Sequence, residues 1–391
     1  MLASPPLPLI SGELRQYLDE LLGKETAKNY LKAICTPMEE YTLHIFQKQE
    51  LAETIIEKIE KFDFKAYQHS DFPNLIVTQP KGPFDVDFSE KMKEIVVDNR
   101  AAEMIYQGSD VFVPGIKRAN KVKENDLVIV KNQNDVSVAK AQALMSHNKI
   151  LSMKKGVAAT NLESPYKVPS IPQLGLEEFP VYFHSIPAYL AGLNLDPQPG
   201  DKILDCCAAP GNKTIHLSEL TRNRGKIIAV DRSKRRLRSL NEKIKKFEIT
   251  NIKTIVGNII ELSKKWNIKF DKILVDPPCT ALGLRPRLIL DVNRKIIESS
   301  ADYQKAILFA CNKLLKPEGE LVYSTCTITK EENEDVVNHA LEFGLEVIDQ
   351  AYKVSTRGFI YTEEPIPVQR FIPGQDKTLG FFIAKLRKSR S

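Results

Sequence analysis

From Pro199 to Cys326, short apolar runs alternate with longer amphipathic ones, and this alternation restricts the fold more than any other feature of the chain. The runs KILDCC, KIIAVD, IKTIV, DKILVD and GELVYSTC read as strands, while NKTIHLSEL, SKRRLRSLNEKIKKF and DYQKAILFACNKLL read as helices. Strand and helix in turn build a parallel sheet covered on both faces. Such sheets bind ligands at the carboxyl ends of their strands. The residues at those ends are therefore the candidates for chemistry.

The first strand runs into Cys207, Ala208, Ala209, Pro210, Gly211, Asn212 and Lys213, a small-residue turn that opens a helix. Backbone N–H groups can approach a ligand there. The second strand ends in Asp231, which alone would serve equally as a capping residue before helix 233–246. With the turn upstream, its carboxylate suits the hydroxyls of a ribose. The pair describes a nucleoside-containing cofactor. Neither G-x-G-x-x-G nor a Walker pattern is present, which disfavours a dinucleotide or a nucleoside triphosphate.

The fourth strand ends in DPPCTALG, with Asp276 at the edge, Pro277 and Pro278 stiffening the turn, and Cys279 after them. Amino-group methyltransferases place an aromatic ring fourth in such a turn. A cysteine has no face to stack on a base and points to different chemistry. The fifth strand ends at Cys326, and Thr329-Lys330-Glu331-Glu332 reads as a capping box opening the next helix. A lone cysteine is usually inert packing, the reading kept for Cys35, Cys206 and Cys311. Two at the tips of neighbouring strands can share a pocket, one as a nucleophile.

At 391 residues the chain exceeds one ordinary domain. Residues 1–92 suggest helices over 11–34, then strand, helix and strand, a small RRM-like α/β region. Residues 93–168 carry the short β runs KEIVVD, VFVPGI, DLVIVKN, VSVAKAQAL and KILSM, a compact β-rich module. A Pro-rich connector leads to the α/β region, 169–391. A net charge of +6 suits an anionic partner such as nucleic acid. Residues 232–246 hold eight Lys/Arg against one acid, either a solvated face or a phosphate contact.

The six cysteines form no C-x-x-C pair, so neither a zinc site nor a disulfide scaffold is indicated, and reduced thiols suit a cytosolic or nuclear compartment. The six histidines show no metal-ligand spacing, and no metal is expected. MLASPPLPLISGELRQ lacks the basic region of a signal peptide, and no run reaches the roughly 18 apolar residues of a membrane span. A soluble cytoplasmic monomer without membrane contact is the expectation.

DCCAAPGNKT, DPPCT and YSTCT, in that order and spacing, resemble the Nop/Sun family of RNA cytosine carbon-5 methyltransferases, whose signature is roughly D-x-C-A-A-P-G-G-K-T, D-x-P-C-S-G and Y-S-T-C-[ST]. LNLDPQPGDKILD, GLRPR and GFFIAKL look like it too, and QGSDVFVPGI resembles the heart of a PUA domain. A PUA domain ahead of a Sun-type domain is the arrangement of the sixth human NSUN enzyme and its archaeal relatives. The resemblance implies a Rossmann-like class I methyltransferase fold using S-adenosylmethionine. It further implies 5-methylcytosine formation in RNA, in the tRNA acceptor stem near the CCA end, through a covalent cysteine–cytosine adduct.

It also implies roles. Cys207 to Lys213 hold S-adenosylmethionine, and Asp231 binds its ribose with Arg236 nearby. Asn258 stands where an aspartate usually reads the adenine amino group. Asp276, also at the cofactor, and Lys213 face the cytosine. Cys326 is the nucleophile, and Cys279 assists product release. Asn212 replaces the second glycine of P-G-G, where tolerance of positive φ would let the turn survive. Asn258 is expected to weaken cofactor binding, and Thr280-Ala281 replaces S-G. The alternative is a catalytically silent RNA-binding or assembly factor on the same fold, supported by the two asparagines and opposed by both cysteines. Transfer to an exocyclic amine, or exchanged cysteine roles, also stays open.

Overall fold

The computed structural model describes residues 7–357 and 367–390; the first six residues of the N-terminal stretch lie outside this range. Five parallel strands form the catalytic sheet. Their order is Ile252–Val256, Lys226–Asp231, Lys202–Asp205, Phe270–Val275 and Leu315–Thr325. Antiparallel Phe381–Lys388 follows, pairing with both Leu345–Ile348 and Gln369–Phe371. The alternation within each strand supplies two buried faces. Ile203, Leu274 and Val322 pack with Leu190 and Leu195 of the Ile186–Leu195 helix and Leu217 of the Asn212–Leu220 helix. Leu204, Ile273, Val275, Leu321 and Tyr323 pack with Ile307 and Leu308 of the Arg294–Leu314 helix and Val336 of the Glu334–Leu341 helix. The order reverses beside Lys202–Asp205, which opens a crevice at the carboxyl ends.

The N-terminal helices, Gly12–Leu22 and Lys24–Ile34, pack behind the loop that follows the fourth strand. Leu14, Leu18, Tyr30 and Leu31 bury against Leu282, Leu290, Ile297 and Ile328. Tyr30 donates to the Leu282 carbonyl at 2.7 Å, and Arg285 Nε donates to the Ala33 carbonyl at 2.9 Å. Strands Tyr41–Ile45, Ala66–Gln68 and Leu75–Thr78 form an antiparallel sheet. Its fourth strand, Val181–Phe183, comes from beyond the β-rich module.

That module is a six-stranded sheet ordered Val111–Phe112, Val157–Glu163, Ser137–Ala143, Leu127–Asn132, Lys93–Val97 and Ile116–Arg118. KILSM, expected as a strand, is instead part of the His147–Ser152 helix. Ile150 alone of the run is buried, while Leu151 and Met153 are exposed. The Asn99–Tyr106 helix, capped by Asp98 accepting the Ala101 N–H at 2.9 Å, was also not foreseen. It docks the module onto the catalytic domain, where Glu103 accepts the Leu288 N–H at 3.2 Å. Among the described residues no helix is long and apolar enough to cross a membrane.

Candidate active site

The carboxyl ends of the strands line one cavity of about 340 Å³, whose wall includes Asp231, Asn258, Asp276, Cys279 and Cys326. The cofactor turn enters it between the first and second strands. Gly211 has φ 106°, and a Cβ there would lie 2.5 Å from Leu240, so glycine alone lets the chain swing into the helix. Asp231 is nearly buried and braces the turn: its carboxylate accepts the Ala209 N–H at 3.2 Å and the Ser233 N–H at 2.8 Å. Arg236 donates to the Ala209 carbonyl and lies 3.6 Å from Asp231. Ser233, not Asp231, caps the following helix. The remaining carboxylate lone pairs can therefore serve ribose hydroxyls.

Asn212 behaves differently from its expectation. The positive φ belongs to Gly211, while Asn212 is already helical, so tolerance of that conformation is not what preserves the turn. Its side chain turns outward, donating to the Phe183 carbonyl at 2.7 Å and accepting from Lys243. The asparagine thus ties the turn to the N-terminal sheet. Lys243 also donates to the Pro210 carbonyl at 3.1 Å, and burial lowers its ammonium to about 8. Two of the eight basic residues of 232–246, Arg236 and Lys243, therefore brace the turn; Lys234, Arg235, Arg238 and Lys245 are exposed. Asn258 Oδ1 accepts the Ile260 N–H at 3.0 Å, leaving one lone pair toward the cavity.

On the far side, Asp276 receives Lys213 Nζ at 2.7 Å and the Ser324 hydroxyl at 2.9 Å. Both partners fix the plane of its carboxyl group. Asp205, at the tip of the first strand, is buried, and desolvation raises its carboxyl to about 7. The Cys279 and Cys326 sulfurs lie 3.3 Å apart and are free thiols. The hydrogen bond to Cys326, burial and the nearby Glu332 carboxylate together push the Cys279 thiol well up. The two sulfurs share one hydrogen bond in which either can be the donor.

Glu332 was read as part of a capping box, and the structure gives it another task. The helix begins at Glu334, and the Thr329 hydroxyl donates to Glu332 Oε2 at 2.8 Å. The fully buried Glu332 carboxylate accepts the Thr280 N–H at 2.9 Å and Gln304 Nε2 at 3.0 Å. Gln304 also holds the Pro278 carbonyl at 2.9 Å. The loop carrying Cys279 thus hangs on Glu332, which spacing had placed in a capping box, and on Gln304, which no spacing singled out. Ala281, where the signature has glycine, takes φ 56°. That conformation costs a non-glycine residue about 1–2 kcal/mol.

A family model described as 16S rRNA methyltransferase RsmB/F matches residues 192–387, and a PUA-domain model matches residues 93–164. The chain belongs to the RsmB/F, or Nop/Sun, methyltransferase family. It is 36% identical over 379 residues to the Pyrococcus horikoshii protein named tRNA (cytosine(72)-C(5))-methyltransferase, with 96% of each covered. The human protein of that name, NSUN6, is 27% identical over 455 residues, covering 98% of this chain and 96% of the relative. The solved structure described as NSun6 from Pyrococcus horikoshii with SFG, an S-adenosylmethionine analogue, has a TM-score of 0.88 at 35% identity. It covers 98% of this chain and 99% of its own.

The family is S-adenosylmethionine-dependent, and the site fits that cofactor on its own geometry. A turn that excludes a Cβ at Gly211, a carboxylate at Asp231 and an open wall leading to two thiols suit a nucleoside bearing a reactive sulfonium. Glu332→Gln puts an amide donor where a carboxylate oxygen accepts. In this methyltransferase it is expected to cost about 1.5–3 kcal/mol of stability. It should also lower kcat while leaving KM for S-adenosylmethionine unchanged, as thermal melts and initial rates would show.

Proposed function

We propose that the protein methylates carbon 5 of a cytosine in tRNA, in the acceptor stem near the CCA end, acting as a cytoplasmic monomer. The observation that carries this reading is the pair of sulfurs 3.3 Å apart in the same cavity wall as the cofactor turn and Asp231. Exocyclic amine transfer needs no thiol, whereas carbon 5 does. The cytosine ring is electron-poor, and thiolate addition at carbon 6 turns carbon 5 into an enamine nucleophile.

Cys207 to Lys213, Asp231, Arg236 and Asn258 would hold S-adenosylmethionine, which supplies an electrophilic methyl group. Cys326 adds to carbon 6. Asp276, oriented by Lys213 and Ser324, accepts from the exocyclic amine and favours protonation at N3 as the adduct forms. After methylation the carbon-5 proton passes to a base, Cys279 as thiolate or a water, the ring double bond re-forms and Cys326 departs.

A stacked, paired base cannot receive a thiol, so the target must flip out, at a cost of a few kcal/mol. Contacts elsewhere would offset that cost. The PUA region has a groove of about 410 Å³ lined by Lys117, Arg118, Lys154, Leu151 and Met153. Cationic and apolar groups together suit an unpaired RNA end.

The test is tritium transfer from labelled S-adenosylmethionine to unmodified tRNA transcripts with and without cytosine at position 72, the position in the relatives' names. Incorporation that disappears with C72→U supports the reading. Transfer only to other cytosines overturns the site assignment. No transfer to any tRNA, with RNA binding retained, favours the silent binding factor.

A further inference from the structure

Behind the cofactor turn, the Asn212–Leu220 helix meets the N-terminal sheet, and histidines from three distant parts of the chain converge there. His44, His184 and His216 are buried, and their ring centroids lie 5.6, 5.1 and 5.2 Å apart pairwise. His216 and Glu219 stand three residues apart on one helix and so share a face. Tyr189 stacks on His216 with centroids 4.3 Å apart. A Cβ at Gly192 would lie 2.4 Å from His216 Nδ1, so glycine makes room for the ring.

One ligand atom each from His44, His216 and Glu219 can be chosen so that all lie within 4.8 Å of one another. Neither ring nitrogen of His216 has a hydrogen-bond partner among the described residues, nor does His184 Nε2. Polar groups buried without a partner lose their hydration and gain nothing in return. Such groups call for a specific explanation, a bound ion being one.

We propose that His44, His216 and Glu219 bind a divalent transition-metal ion, zinc(II) by preference, which fastens the N-terminal sheet to the helix carrying the cofactor turn. Two imidazoles and a carboxylate are a zinc ligand set; calcium and magnesium demand oxygen ligands, and no thiol is present for a softer ion. His44 Nε2 lies 2.6 Å from Glu219 Oε2 and 2.9 Å from Asn74 Nδ2, and metal entry displaces to solvent any proton held between the imidazole and the carboxylate. They would part to about 3.3 Å, the edge of a tetrahedron with bonds of about 2.0 Å.

The other side of the His44 ring is already oriented, with Nδ1 2.8 Å from the Tyr182 hydroxyl, as the outer partner of a metal-bound imidazole should be. A groove lined by Gln47, Asn74 and Glu219 borders the site on the Glu219 side. This departs from the expectation of no metal. The three histidines lie on separate segments, so no local spacing could reveal them.

The test measures zinc in chelator-stripped full-length protein by isothermal titration and elemental analysis, for wild type, Glu219→Gln and His216→Asn. Glu219 lies at the groove, so its amide variant keeps the fold should the buried His216→Asn fail. Zinc held by Cys279 and Cys326 would be common to all three proteins. One further equivalent in wild type, bound at least tenfold more weakly in Glu219→Gln, supports the site. A cobalt(II) complex with the intense visible bands of four-coordination, absent in Glu219→Gln, supports it independently. Equal zinc stoichiometry and affinity in wild type and Glu219→Gln, or no saturable zinc in wild type, overturns it.

Discussion

Cys326→Ala is expected to lower methyl transfer to tRNA by about a thousandfold or more, because the variant lacks the atom that activates carbon 5. Cys279→Ala should give the opposite signature on a denaturing gel: one methyl group transferred per enzyme and a stable protein–RNA adduct. The assignment follows the motifs: Cys326 stands in YSTCT, the segment to which the Nop/Sun resemblance gives the nucleophile, and Cys279 in DPPCT. The two loops also remain joined without the Cys279 sulfur, since Gly283 N–H donates to the Cys326 carbonyl at 2.9 Å and Thr280 and Thr327 hydroxyls meet at 2.7 Å. Cys279→Ala should therefore fold and still form the adduct. An adduct in Cys326→Ala alone would exchange the roles. Full activity of Cys326→Ala would return methyl transfer to an exocyclic amine.

Arg370→Leu should destabilise the protein by about 3–5 kcal/mol, the cost of leaving a buried charge without its partner. Arg370 and Glu334 are both almost wholly buried. Arg370 Nε donates to Glu334 Oε1 at 3.1 Å, and a second nitrogen donates to the other carboxylate oxygen. The third nitrogen donates to the Ile328 carbonyl, two residues beyond Cys326, so the pair also steadies the catalytic loop. The double variant Arg370→Leu/Glu334→Leu removes both charges and should recover most of the lost stability. Denaturant unfolding of the two variants checks the prediction. Equal destabilisation of both would show that packing, not the uncompensated carboxylate, dominates.

The catalytic sheet was legible because its strands carry short apolar runs that end in residues an apolar run has no use for: Asp231, Asp276, Cys279 and Cys326. Local pattern and chemistry agree there. Elsewhere tertiary partners decide. Glu332 fits a capping box by spacing, yet its carboxylate serves Thr280 and Gln304 from other segments. Asn212 looked like a damaged glycine until Phe183 and Lys243 were seen beside it. KILSM offered too few alternating residues to separate strand from helix, and the preceding Ser146 at the N-cap position carried the better signal.

The sheet that takes Val181–Phe183 as its edge has a further consequence, for the order in which the chain is made. Everything between Thr78 and Val181, the PUA region included, is a loop of that sheet. Closing a longer loop costs only about 0.6 kcal/mol per doubling, so the finished sheet tolerates the insertion. During synthesis, however, Tyr41–Ile45 emerges long before its partner and waits with one edge unpaired. A product truncated ahead of residue 181 keeps that edge permanently, and open edges pair with one another. The vulnerable species is thus the nascent chain, for as long as the ribosome is still building the inserted module.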